Sequence, residues 1–414
     1  MKLAKLSLAA MMVAGLASSS FAADTLADAF KNGSVKGEIK AYYFNNDNDT
    51  SREDIFTTGL MLNYKTATLY GFGANFTFQG SSSPFSDNDG EARYQGSMYG
   101  PGAVLSEAYL SYTLGKTTAM VGRMFLDTPL ISGSGSRIVK EAFEGAAIIN
   151  TDLPDTTLIA GYVQKFQART SGDGDAPKFG RTFKIGSSTP NVELDDGAFT
   201  LVAINKSITG LTLTAAYTQT GDLVDENGAE MDRLSIAYAE ADYQGKAGKF
   251  AYGIAAQYYY NNFGGLAAGI NADENSLFGV KASVGYDAFG AYVAYSKVND
   301  KTNGYGVVSG LGNGADLAYT MSPINSNSYN NDTEAYKIGA TYAIMKNANV
   351  GVSYTLNEID SAASNADKKA YTAVEADYAF EGALKGLSTA VIYEDGSKDV
   401  SGTDELWVKA NYKF

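Results

Sequence analysis

The chain has neither cysteine nor histidine among its 414 residues. These two absences remove the Ser-His and Cys-His nucleophile pairs and every thiolate or imidazole metal ligand. Disulfides are excluded as well, so stability has to come from a large core or a closed sheet. Proline is scarce, at seven residues, and tryptophan occurs once. Past the N-terminal segment no run of about 18 apolar residues occurs, which excludes a transmembrane helix there. Carboxylate pairs are the one catalytic option left, but the acids fall mostly in loops of varied length. We expect no enzyme activity, no cofactor and no metal site. Basic residues are in deficit, 32 against 46 acidic ones, for a net charge of −14. Such a chain repels nucleic acid.

What is present begins with an export signal. Lys2 and Lys5 precede an apolar run from Leu6 to Leu16, followed by small residues through Ala23. Ser20 and Ala22 have the spacing of a signal-peptidase site, so residues 1–22 are read as a signal peptide. Residues 23–33 then form a short periplasmic segment. A soluble periplasmic protein would carry the same signal. Without Lys2 and Lys5 the net charge is −16.

The far end ends in a strand. In Leu406–Phe414, positions 406, 408, 410, 412 and 414 are apolar, whereas 409, 411 and 413 are polar. Side chains alternate across a strand, so this segment has two faces. A terminal aromatic such as Phe414 is the signal read by the barrel-assembly machinery. Twenty-nine Tyr, 20 Phe and 45 Gly suit many strands bounded by aromatic girdles. About eighteen strands are expected, from 34–45, 55–65 and 68–79 through to 404–414.

The connections alternate in length. Thr66-Ala67, Gly115-Lys116, Thr209-Gly210 and Asn347-Ala348 are short; 80–102, 127–142, 169–198 and 299–333 are long. The pattern predicts an all-β, up-and-down transmembrane antiparallel barrel over 34–414, with short periplasmic turns and long extracellular loops. All seven prolines fall in proposed loops or turns, as a barrel without edges demands. A soluble β-sandwich would alternate too, but with a polar outer face and less regular connections. Acids gather in the long loops, including Asp47, Asp49, Glu53, Asp54, Asp87 and Asp89. They read as a solvated surface, or as divalent-cation bridges to lipopolysaccharide; neither Asp-Asn-Asp stretch has full calcium-loop spacing.

The segment Gly122–Ala146 differs from the other loops. It has no acidic run and mixes apolar residues with Asp127, Arg137, Lys140 and Glu144. That content predicts a loop, about 127–142, tucked inside the barrel to narrow it. With Asp24–Gly33 and the terminal Tyr412-Lys413-Phe414, this segment resembles the OprD family of outer-membrane porins, as found in epsilon-type proteobacteria. The resemblance implies an eighteen-stranded barrel, an infolded third loop and selective diffusion of small solutes, often carboxylates, past basic residues. It implies a constriction at Arg123, Asp127, Arg137 and Glu144, with Lys140 on the same loop. Where that family lines its pore with Arg, this chain offers Lys40, Lys281, Lys337 and Lys409, which act as point charges rather than bidentate forks. The expected surroundings are outer-membrane lipid, lipopolysaccharide and small solutes, and monomer and homotrimer both stay open. The other reading is a structural or adhesive surface protein, anchored by its barrel and displaying 299–333. A hydrophobic-solute transporter would need an N-terminal plug larger than the dozen residues before the first strand.

Overall fold

The computed structural model describes residues 23–48, 51–184, 191–224, 230–263, 274–301, 306–315, 318–325, 329–359, 367–400 and 403–414. The expected signal peptide lies outside the described residues. Strands β1 (Ser34–Asn48), β2 (Ser51–Lys65) and β3 (Phe72–Ser82) open the wall, and β4 (Gly102–Leu114), β5 (Thr117–Met124), β6 (Ala142–Asn150) and β7 (Thr156–Gln167) continue it. Two short pieces follow, β8 (Thr182–Lys184) and β9 (Asn191–Leu194), and then β10 (Ala198–Asn205) and β11 (Leu211–Thr220). Two more, β12 (Leu223–Val224) and β13 (Glu230–Met231), precede β14 (Ser235–Ala247), β15 (Phe250–Asn262), β16 (Asn275–Tyr286) and β17 (Phe289–Val298). The wall ends with β18 (Thr333–Met345), β19 (Ala348–Ile359), β20 (Asp367–Ala379), β21 (Leu387–Lys398) and β22 (Thr403–Lys413).

Eighteen of these form one antiparallel sheet, which β1 closes by pairing with β22. The four short strands make a separate small sheet in the connections on either side of β10 and β11. Each expected strand has its counterpart, because a period of two is imposed wherever one face is apolar and the other is not. The outward face carries an apolar belt around the wall: Ile39, Leu110, Val121, Ile148, Leu201, Ile254, Val293, Ile338, Val374 and Val408 are all exposed. Their neighbours in sequence point inward, among them Lys40, Met120, Ile149, Thr200, Ser353 and Trp407, each buried.

Turns on one side are tight, with 115–116, 248–249, 287–288 and 346–347 two residues long. On that side helix α1 (Leu26–Lys31) docks against the turn after β2, where Ala67 N donates to Ala29 O at 2.9 Å. Thr25 caps it by accepting from Asp28 N at 3.1 Å. The first hairpin departs from expectation. Asp47, Glu53 and Asp54 lie on β1 and β2 rather than in a loop, and Asp47 faces Arg52 at 3.7 Å. Asp87 accepts from Gly90 N at 2.8 Å and so caps helix α2 (Asn88–Tyr94). Asp49 lies outside the described residues.

Closure leaves no sheet edge for detergent to enter. Purified protein in detergent should therefore be β-rich and run at different positions on a denaturing gel before and after boiling. Identical migration would contradict the closed wall.

Candidate pore constriction

The connection 125–141, between β5 and β6, turns into the barrel. Thr128 makes the turn by accepting from Ile131 N at 3.0 Å, while Ser132 donates to Asp127 at 2.8 Å. Leu130 and Ile131 are fully buried. The returning half runs along the wall of β1, β2, β3 and β22. Gln79 on β3 grips it like a short strand, accepting from Lys140 N at 2.8 Å and donating to Lys140 O at 2.9 Å. Ile138 sits on Gly59 of β2, where a Cβ would come within 2.5 Å of its methyl. Two wall lysines hold its carbonyls: Lys40 donates to Ile138 O at 3.0 Å, and Lys409 to Ser136 O at 2.9 Å.

A second connection enters the lumen beside it. The loop 299–333 is expected outside as an extracellular connection; instead its residues 308, 319–321, 324 and 325 pack against the wall inside. Asn261 on β15 donates to Val308 O at 3.0 Å and accepts from Val308 N at 2.7 Å. Tyr319 donates to Glu240 at 2.6 Å, and Thr320 to Ser296 at 3.0 Å. Lys337 donates to Met321 O. The buried carboxylate of Glu394 accepts from Ile324 N at 3.1 Å and Asn325 N at 3.0 Å. Only polar wall residues could satisfy this much loop backbone away from bulk water.

The two loops join backbone to backbone. Leu311 N donates to Leu130 O at 2.8 Å, Ser132 N to Leu311 O at 3.0 Å, and Gly314 N to Ser132 O at 3.0 Å. This approach needs glycine. A Cβ on Gly312, at φ +82°, would stand 2.4 Å from Ser132 O. Glu141 locks the joint from within. Fully buried, it accepts from Ser134 N at 2.8 Å, Asn313 N at 3.0 Å and Asn313 Nδ2 at 2.5 Å, and pairs with Arg169 Nε at 3.3 Å.

Arg137 lies over the Trp407 indole at 4.1 Å, and the Lys409 ammonium is 4.2 Å from the same ring. Burial pushes the Arg137 guanidinium down to about 9, the Arg169 charge adds to this, and Glu405 and Glu141 oppose it. It therefore remains charged at neutral pH.

No protein-family model matches the chain, and no curated protein matches it. Solved structures do. OccK9 (OpdG) of Pseudomonas aeruginosa is 14% identical with a TM-score of 0.77, covering 93% of this chain and 99% of that one. OccAB4 of Acinetobacter baumannii is 18% identical with a TM-score of 0.75, covering 92% and 98%. Pseudomonas aeruginosa OpdK, solved with vanillate, is 15% identical with a TM-score of 0.74, covering 93% and 99%. These neighbours are OprD-family porins with an 18-strand barrel. The chain shares the 18-strand barrel fold of these structures.

Within this barrel the expected site residues separate. Arg137 and Lys140 lie on the infolded loop, the latter with its ammonium 4.6 Å from the Phe125 ring, and Asp127 shapes the loop's turn. Arg123 and Glu144 do not join them. Arg123 shares its face of β5 with exposed Val121, and Glu144 shares its face of β6 with exposed Ile148; both point away from the lumen. There Arg123 pairs with Glu144 at 3.0 Å, and Lys165 completes the group at 2.6 Å. Met120, Met124, Phe143 and Ala147 take the inward positions. Among the wall lysines, Lys40, Lys409 and Lys337 face inward but are used to hold loop carbonyls. Lys281 lies 5.3 Å from the Tyr319 ring.

Sequence reasoning missed Glu141, Arg169, Asn313 and Glu394. One signal was available. Gly310-Leu311-Gly312-Asn313-Gly314 alternates glycine with larger residues, a composition suited to close backbone approach.

Proposed function

We propose that the chain is a porin of the bacterial outer membrane, admitting small polar or carboxylate-bearing solutes and ions by passive, partly selective diffusion. The observation that carries this reading is a closed barrel, apolar outside, whose lumen is narrowed by two loops that join inside it. Its apolar belt suits outer-membrane lipid, with lipopolysaccharide against the long-loop end. Vanillate, an aromatic carboxylate bound by OpdK, is the kind of solute the basic flank of the first loop would slow and orient. Binding has to stay weak for solutes to leave. The adhesive reading required 299–333 to project outward, and its described part instead lines the lumen.

Conductance and reversal potential in a planar bilayer, with a panel of small carboxylates and amino acids, test the proposal. Absence of any channel from correctly folded protein would defeat it. Within such a channel, Arg137→Ala should shift reversal potential toward cations and weaken block by carboxylates. Arg123→Ala should leave both unchanged, because its charge faces outward beside Glu144. In a low-dielectric lumen a unit charge acts far more strongly than on a salt-screened surface. Equal effects from both variants would contradict the assignment of faces.

Phe414 is the proposed assembly signal. It also closes the wall, donating to Gly37 O at 3.1 Å and accepting from Gly37 N at 3.0 Å. Deleting it should lower the amount of barrel in the outer membrane while leaving export intact. Unchanged outer-membrane levels would remove this role.

A further inference from the structure

We propose that the outward face of the wall binds a lipid phosphate of the outer leaflet, held by Arg123 of β5 and Lys165 of β7 with Glu144 of β6 between them. The site presupposes the outer-membrane reading above, and it lies on the lipid side of the wall, apart from the lumen.

Strand register brings the two cations to one point. Arg123 stands opposite Glu144, and Glu144 opposite Lys165. One carboxylate then holds both: Arg123 Nε is 3.0 Å from its Oε2, and Lys165 Nζ is 2.6 Å from its Oε1. Those oxygens share one carbon, so the cations stand side by side, and the group keeps one net positive charge. The cations are also its more open members, with side chains 36% and 38% exposed against 27% for Glu144. Donors remain on both. Arg123 uses Nε on Glu144 and Nη1 on Leu105 O at 3.4 Å; among the described residues its Nη2 has no hydrogen-bond partner. Lys165 gives one hydrogen bond of the three an ammonium can give. Phe179 steadies the fork. Its ring lies 4.3 Å from the Arg123 guanidinium carbon, and the neighbouring Gly180 donates to Phe166 O at 3.0 Å and accepts from Phe166 N at 2.8 Å.

Height along the wall selects the ligand. β5 ends at Met124, β6 begins at Ala142 and β7 ends at Gln167, so all three residues stand at the long-loop end of their strands. Lys165 is three positions past Tyr162, whose ring lies 4.8 Å from that of exposed Phe199. Outward aromatics of this kind sit at headgroup level, where a charge on the lipid face costs little. A cation just beyond them meets phosphate rather than acyl chain. Elsewhere at this end of the wall, tyrosines donate to acids instead: Tyr43 to Asp54 at 3.0 Å, Tyr260 to Glu274 at 2.6 Å, Tyr336 to Glu334 at 3.0 Å and Tyr393 to Asp404 at 3.2 Å. Such carboxylates repel a phosphate unless a divalent cation bridges them. Arg123 and Lys165 take it directly, through charge-assisted hydrogen bonds.

The test titrates the full chain in detergent with lipid A carrying both phosphates, or with the same lipid dephosphorylated, and counts bound lipid by native mass spectrometry. EDTA is present throughout, so that no divalent cation bridges lipid to the acids. The wild type should bind the phosphorylated lipid at least about tenfold more tightly than the dephosphorylated one. Arg123→Gln combined with Lys165→Met should abolish that preference, whereas Arg52→Gln should keep it. Equal binding of the two lipids by the wild type, or a preference kept by the double variant, overturns the proposal. Inorganic phosphate at the lipid's concentration should not displace it; displacement would mark a site for free anions and overturns the lipid assignment. Dimers or trimers that the double variant breaks would mean that a second copy covers this face, and they overturn the proposal too. If the double variant is not heat-modifiable, Lys165→Met alone, which leaves the Arg123–Glu144 pair standing, should lessen the preference; an unchanged preference then overturns the proposal. Conductance of the variants in a planar bilayer should match the wild type, so a failed lipid test leaves the porin reading standing.

Discussion

Removing residues 306–325, with the ends rejoined by a short glycine linker, should raise single-channel conductance more than removing 130–136. The longer stretch carries most of the described contacts by which the second loop fills the lumen, from Val308 on Asn261 to Asn325 on Glu394. Taking out 130–136 removes its partner at Leu311 and Gly314 but leaves those wall contacts standing. It also leaves Ile138 and Lys140 tied to Lys40 and Gln79. The larger obstruction thus remains in that variant. Both proteins need to be shown heat-modifiable before they are compared. If the 130–136 deletion gives the wider channel, the first loop alone sets the constriction. The second is then a lining rather than a barrier.

Glu141→Ala should free the two loops from one another. It removes the acceptor used by Ser134 N, Asn313 N and Asn313 Nδ2, and it leaves Arg169 without its carboxylate. Breaking a buried charged pair by deleting one partner costs about 3–5 kcal/mol, which corresponds to a factor on the order of 10²–10⁴ in the docking equilibrium. Conductance should rise and become noisier, and protease should reach the 299–332 connection in folded protein. The barrel itself should persist, because Glu141 lies in a loop and outside the strand ladder. Wild-type protease resistance together with wild-type conductance would show that the joint does not depend on this carboxylate.

The wall was legible residue by residue. Val350, Val352, Tyr354 and Leu356 alternate with Gly351, Ser353, Thr355 and Asn357, and β19 runs over that stretch. Strand identity is local information: a period of two repeated over ten residues, bounded by turn residues, needs no distant partner to be read. The third-loop assignment rests on composition; in the structure Lys40, Gln79 and Lys409 hold residues 136–140 of that loop. The second infolded loop was hidden for the opposite reason. Its Asn, Gly and Asp content reads as solvent-facing. Yet Asn325 pairs with Glu394 of the wall, and Asn313 with Glu141 across 172 positions of sequence.

Arg123 shows how narrow the margin is. It lies one position from Met124, and successive strand residues point to opposite faces, so its charge falls outside the lumen by a single step. The lysines show a different limit. Sequence alternation offers Lys40, Lys337 and Lys409 as lumen lysines, and in the structure each donates to a loop carbonyl. Their use was decided by which carbonyls the loops bring within reach. Alternation, turn chemistry and proline placement act within a few residues, so the sequence by itself determined a closed barrel and the course of its strands. Which loops fill that barrel, and which charges meet there, was decided by contacts between segments far apart in the chain. Those contacts depend on lumen geometry that exists only once the sheet has closed.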